Sequence, residues 1–143
     1  VFMAYYQNTI TLPAHARGVH IITPYIEQTI NELLPQNVEA GMVNLFLQHT
    51  SASLAINENA DPDVRLDTED WLNTIAPADQ PQYRHTLEGS DDLPAHFKSM
   101  ILGVSLNIPL IRGRLGLGTW QGVYLCEHRN RASGRRLVIT VNI

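Results

Sequence analysis

The stretch GMVNLFLQHTSASLAINEN, residues 41–59, holds two alternating runs with no helix between them. Side chains of a strand point to opposite faces in turn, so the first run places Val43, Leu45, Leu47 and His49 on one face. SASLAI, residues 51–56, alternates again. The apolar row therefore ends in an imidazole that meets Thr50, Ser51 and, beyond the second run, Glu58. A core has no use for that density of polar groups, so the end of this strand reads as one wall of a site.

Working outward, the flanking segments predict three helices. TPYIEQTINELLP, residues 23–35, places Thr23 as N-cap and Pro24 in the first turn, with Ile26, Ile30, Leu33 and Leu34 at helical spacing. Asp61-Pro62 starts a second helix, whose apolar stripe is read as Val64, Thr68, Trp71 and Ile75. DLPAHFKSMILG, residues 92–103, is a third, capped by Asp92 or Leu93 and closed by Gly103. Residues 5–12 and 18–22 read as two early strands. VSLNIPL, RGRLGLGTWQGVYLCE and RLVITVNI make the C-terminal part β-rich, with Leu137, Ile139, Val141 and Ile143 on one side. Six or more strands with about three helices, not in strict βαβ order, predict an α+β fold on a mostly antiparallel sheet or sandwich. At 143 residues and 44% hydrophobic, the chain reads as one domain, 1–143, in which Val1 and Phe2 precede a natural start at Met3.

Composition narrows the function. No apolar run approaches the roughly 18–20 residues of a membrane span, and no leader is evident, which predicts a soluble, cytoplasmic protein. The single cysteine, Cys126, rules out an internal disulfide and a cysteine-cluster metal site, and reads as a small buried hydrophobe. Residues 1–92 carry 13 acids against three arginines, whereas residues 93–143 carry one acid against seven basic residues. That asymmetry is met either by charge pairing within the fold or by an anion site built from the C-terminal arginines, whose planar forks suit phosphate. The chain as a whole is acidic, with no basic stretch interleaved with aromatics, so nucleic acid is not an expected partner.

Three histidines stand in similar settings, LQHTS at 49, YRHTLEGSDD at 85 and LPAHFK at 96, with Asp91 and Asp92 between the last two. Neutral imidazoles with nearby carboxylates suit a zinc-type site. Glu58 is the best candidate general base, the alternative being a solvated loop acid. GRLGLGTWQG, residues 113–122, frees backbone N–H groups for an anion beside Arg112, and Trp120 offers a flat ring as a platform unless it is core.

HTSASLAINENADPDV, YRHTLEGSDDLPAHFKSMILG and GRLGLGTWQGVYLCEHR together resemble the YjbQ-like family, often labelled secondary thiamine-phosphate synthase. The resemblance runs from about Tyr6 to Val141. It implies a compact α+β fold, a homotrimer, and His49, His85 and His96 as the motif histidines. Glu58, Asp91, Trp120, Gln121 and Glu127 match other motif positions. EHRNRASGRR departs from the E-x-D-G-P-R-x-R of many relatives, so roles for Arg129 and Arg131 are not carried over. The implied activity joins a pyrimidine pyrophosphate to a thiazole phosphate. It would place Glu58, His49, Asp91 and Gln121 in catalysis, Thr50, Ser51, Arg112, Gly118, Thr119 and Trp120 on substrate, and a divalent metal, Mg²⁺ or Zn²⁺, on His49, His85 and His96. Three imidazoles are not what Mg²⁺ asks for. A metal-assisted hydrolase or phosphoryl-handling enzyme, and a noncatalytic trimer that binds a small anionic ligand, are the other two readings.

Overall fold

The computed structural model describes residues 3–143; Val1 and Phe2, and the reading that the natural chain starts at Met3, lie outside the described residues. The fold is α+β. In chain order the elements are β1 (Tyr5–Leu12), β2 (Gly18–Ile21), α1 (Thr23–Leu33), β3 (Ala40–Leu47), β4 (Ala52–Glu58), α2 (Pro62–Ile75), α3 (Asp92–Leu102), β5 (Ser105–Ile111), β6 (Arg114–Leu115), β7 (Gln121–Glu127) and β8 (Arg135–Asn142). A five-stranded sheet runs β1-β8-β3-β5-β6 and a three-stranded sheet runs β2-β7-β4, every pair antiparallel. The two early strands do not pair with each other, since β1 joins β8 and β2 joins β7. Among the described residues no helix is long and apolar enough to cross a membrane.

The alternation is realised as far as Leu47, where β3 ends, two residues before His49. Val43, Leu45 and Leu47 are buried together with Leu137, Ile139 and Val141 of β8, Leu54 of β4, Val123 and Leu125 of β7, and Ile26 and Ile30 of α1. Burying each such side chain contributes about 1.5–3 kcal/mol, before chain entropy is subtracted. One apolar cluster thus lies between the two sheets and beneath α1. The other face of the small sheet is covered by α2, against β2, and by α3, against β4.

Three local expectations are corrected: the caps of α1 and α3 and the buried face of α2. Thr23 does not cap α1: Ile22 occupies the N-cap, and Thr23 Oγ1 accepts the Val123 N–H at 2.9 Å, tying the helix start to β7. The apolar stripe of α2 is rotated, because Trp71 and Ile75 face solvent at 57% and 43% exposure while Leu72 and Ala76 are buried. Asp61 caps α2 as read, accepting from the Asp63 N–H at 2.9 Å. Asp92 lies inside the first turn of α3, with Asp91 at the N-cap and Gly103 past the end at φ +92°.

Candidate functional site

Residues 77–91 form neither helix nor strand. Tyr83 anchors this loop, with its ring edge-on to Phe97 of α3 and its hydroxyl donating to the Pro77 carbonyl at 2.7 Å. The anchored loop brings His85 against the first turn of α3, where Asp92 and His96 lie one helical turn apart on the same face. His85 Nε2 is 2.6 Å and His96 Nε2 3.0 Å from Asp92 Oδ2, and one donor atom from each of the three residues fits within 4.8 Å.

The other nitrogen of His96 decides what this group can hold. Nδ1 lies 2.8 Å from the Thr50 carbonyl, which can only accept, so Nδ1 carries the proton. In a neutral ring Nε2 then directs a lone pair at a carboxylate oxygen 3.0 Å away. That contact is repulsive unless the ring gains a second proton or a cation sits between the two atoms. Donation of the remote N–H to a backbone carbonyl is also the usual support of a metal-binding histidine. Protonation makes the contact an ion pair with Asp92, and a divalent ion held by two imidazoles and one carboxylate would satisfy the same three atoms.

Arg129 fixes the carboxylates. Its Nε donates to Asp91 Oδ2 at 2.9 Å, its Nη1 to Asp92 Oδ1, and its Nη2 to the Glu88 carbonyl at 3.0 Å. Asp92 thus meets the guanidinium with one oxygen and the imidazoles with the other. Burial alone would raise the Asp92 carboxyl, but the bond from His85 and the charges of His96 and Arg129 hold it below the usual range. Asp91 is likewise held low, because the Asn130 N–H and Arg129 outweigh its burial. Gly89, at φ +104°, permits this closure, since a Cβ there would lie 3.0 Å from Asp91 Oδ1.

His49 is not in that group. Its Nε2 accepts the Arg136 backbone N–H at 2.7 Å, and Nδ1 faces Arg135 Nη1 at 3.3 Å. Burial first, then the Arg135 charge, lowers its pKa and favours the neutral ring. It shares a cleft with His96 and Thr50 but offers no nitrogen to the pair. Ser51 contributes its carbonyl to Arg135 Nη2 at 3.2 Å.

Of the remaining expected site residues, Glu58, Gly118, Thr119, Trp120 and Gln121 lie at the opposite end of the small sheet. The β4–β7 ladder runs from Ala52 opposite Glu127 to Glu58 opposite Gln121, which is about 20 Å at strand rise. At that far end Glu58 Oε2 accepts the Ala60 and Asp61 N–H groups at 3.0 and 2.7 Å and so braces the approach to α2. Gln121 Oε1 accepts the Gly118 N–H at 2.8 Å, and the Thr119 and Gln121 carbonyls accept from Asn59 Nδ2. Trp120 is 66% exposed, so it is not core. Arg112, at φ +52°, lies in the β5–β6 turn and lines a separate hollow with Gly113 and residues 34–39.

Behind the histidines lies a buried polar cluster that sequence reasoning missed. Lys98 is fully buried and donates to Asn73 Oδ1 at 2.7 Å; burial, then the Arg17 charge, lowers its pKa. Arg17 reaches Glu69, Asn73 and Asn130. His128 Nε2 meets Ser53 Oγ at 2.8 Å beneath α3. Cys126 is buried as expected, and burial pushes its thiol up to about 12, which leaves it inert. Arg129 is the other omission; Asp92, expected only as an acid near the histidines, meets both of them directly, as its Asp-x-x-x-His spacing to His96 allows.

A family model described as "UPF0047 protein YjbQ-like" matches residues 8–143. The chain is similar to UPF0047 protein YjbQ of Salmonella typhimurium, 49% identical over 138 residues that cover 96% of this chain and 97% of the relative. It is also similar to a UPF0047 protein of Synechocystis, 40% identical, covering 96% of this chain and 91% of the relative. Among solved structures it is similar to a conserved hypothetical protein of Thermus thermophilus, with a TM-score of 0.78, 36% identity, and coverage of 92% and 97% of the two chains.

Proposed function

The chain belongs to the UPF0047 YjbQ-like family, and from the geometry at its paired histidines we propose that it is a metal-assisted hydrolase or phosphoryl-handling enzyme with His85, Asp92 and His96 as ligands. One observation carries this reading: His96 donates its Nδ1–H to the Thr50 carbonyl and turns Nε2 to the Asp92 carboxylate. Three protein ligands leave open positions, and a divalent ion there supplies Lewis acidity and a more acidic bound water. The chain's own residues hold the geometry. Thr50 orients the His96 ring, Arg129 orients Asp92, and the anchored 77–91 loop carries His85. Two imidazoles favour zinc or a neighbouring transition metal over Mg²⁺.

Protein stripped with chelator and titrated with Zn²⁺ is expected to bind one equivalent per chain. His96→Ala or Asp92→Ala should weaken binding at least about 100-fold, the size of a lost ligand set against a 10–100-fold loss for a supporting group. Zinc bound with unchanged affinity by either variant would end the proposal. Turnover of model esters or phosphate esters by the loaded wild type separates an enzyme from the noncatalytic binder.

The synthase reading needs a ring platform, an anion cradle and a metal at one small ligand. Within a chain, Trp120 and the Gly118–Gln121 turn lie about 20 Å from the histidines. That reading therefore holds only in an assembly that brings one subunit's Trp120 to another's His96. Support for a homotrimer lies on the outer face of the large sheet. Its rungs Tyr5–Asn142–Met42–Pro109, Gln7–Thr140–Asn44–Asn107 and Thr9–Val138–Phe46–Ser105 carry no charged side chain, and Met42 and Phe46 stay 45% and 44% exposed. Light scattering is expected to give three times the chain mass, and Phe46→Glu to lower it; a monomer mass for wild type at micromolar concentration rejects the trimer.

A further inference from the structure

The ligand group sits between two unlike hollows. On the His85 side is a small one of about 120 Å³, edged by Asp79, Gln80, Thr86 and Ser90. On the His96 side is an open cleft of about 540 Å³, walled by His49, Thr50, Met100, Gly103 and Val104. Resting on the metal reading above, we propose that the substrate of this site carries an uncharged, apolar acyl arm, which lies in the His96-side cleft while its polar head meets the ligand group.

Several observations support the arm. His96 belongs to both places, so a group held beside its ring lies next to the cleft. No Asp, Glu, Lys or Arg side chain lines it, in a chain that carries 24 such residues. Arg129 and Arg135, the guanidinium groups bonded into this end of the fold, are both held by carboxylates, and Arg136, whose charge is felt at His49, does not line the cleft. The wall is adaptable and open: Met100 is 72% exposed, with a flexible thioether suited to apolar ligands of varied shape, and a Cβ on Gly103 would meet nothing within 4 Å. The volume is within the range of small-molecule sites, roughly 300–1,000 Å³. The cationic and glycine-rich features expected to take an anion lie instead at the far end, where Arg114 and Gly118 line a different cleft.

Hydroxamates test this, because the head chelates zinc whatever chain it carries. Acetohydroxamate and hexanohydroxamate would be titrated calorimetrically into the zinc-loaded wild-type, Met100→Glu and Met100→Leu proteins. The expected result is that hexanohydroxamate binds wild type at least tenfold tighter, that Met100→Leu keeps this ratio, and that Met100→Glu brings it to about one. Zinc held with equal affinity for both chains, or a ratio untouched by Met100→Glu, overturns the acyl arm and leaves the metal site standing. A wild type that holds no zinc overturns both.

Discussion

Glu127→Ala is expected to destabilise the fold by about 3–5 kcal/mol, the cost of leaving one member of a buried ion pair without its partner. Glu127 is fully buried and Arg135 is 7% exposed. The guanidinium approaches as a fork, Nε 2.7 Å from Oε1 and Nη2 2.5 Å from Oε2, and Arg135 also donates to the Ser51 carbonyl. Because Glu127 ends β7 of the small sheet and Arg135 begins β8 of the large one, the pair ties the two sheets beside the histidines. Without the carboxylate the interior keeps an uncompensated positive charge next to His49. Urea unfolding at pH 7 reads the loss. The double variant Glu127→Leu/Arg135→Met should recover most of it, because removing both charges also removes the cost of desolvating them. A loss under about 1 kcal/mol in Glu127→Ala would show that the pair is solvated and refute this account.

Acid should weaken the fold well above the carboxylate range. His128 is 1% exposed, and its pKa is lowered to about 3, first by burial and then by the charges of Lys98, Arg135 and Arg17. In the unfolded chain the same ring titrates near 6.5. The unfolded state thus binds the proton first, so the stability contribution is complete above about pH 6.5 and declines as pH falls toward 3, by up to about 4–5 kcal/mol. His49, lowered in the same direction, adds to this window, whereas Asp91 and Asp92 add only below about pH 4. Urea midpoints measured from pH 7.5 to 4.5 should fall more steeply in wild type than in His128→Gln. An NMR titration of wild type should show the His128 ring still neutral at pH 5. A ring that protonates near 6.5 would rule out its burial as a neutral group.

Several elements were legible because the physics that sets them is local. The alternation of Val43, Leu45 and Leu47, and of Leu137, Ile139 and Val141, fixes which face of each strand is buried whatever it pairs with. Pro24, Asp61-Pro62 and Gly103 mark helix ends through missing donors, a capping carboxylate and a positive φ, all properties of a few consecutive residues. Burial of Cys126 followed from its place in an apolar run.

The face of α2 was not legible, and its composition explains why. The side turned inward carries Glu69 and Asn73 as well as Leu72, because Arg17 and Lys98 come from β2's approach and from α3 to pair with them. Polar groups satisfied by distant partners hide a buried face from any hydrophobic pattern, and the exposed Trp71 and Ile75 then suggest a false one. The site shows the same division. The sequence by itself determined the residue types, three histidines with flanking acids and a glycine-rich turn with a tryptophan. Only the tertiary structure decided that Asp92 joins His85 and His96, that His49 turns to the Arg136 backbone, and that Glu58 and Trp120 end a strand's length away. Which groups meet depends on a loop folding back 7 residues from His85 to Asp92 and on the register of β4 against β7, long-range geometry that no spacing along the chain encodes.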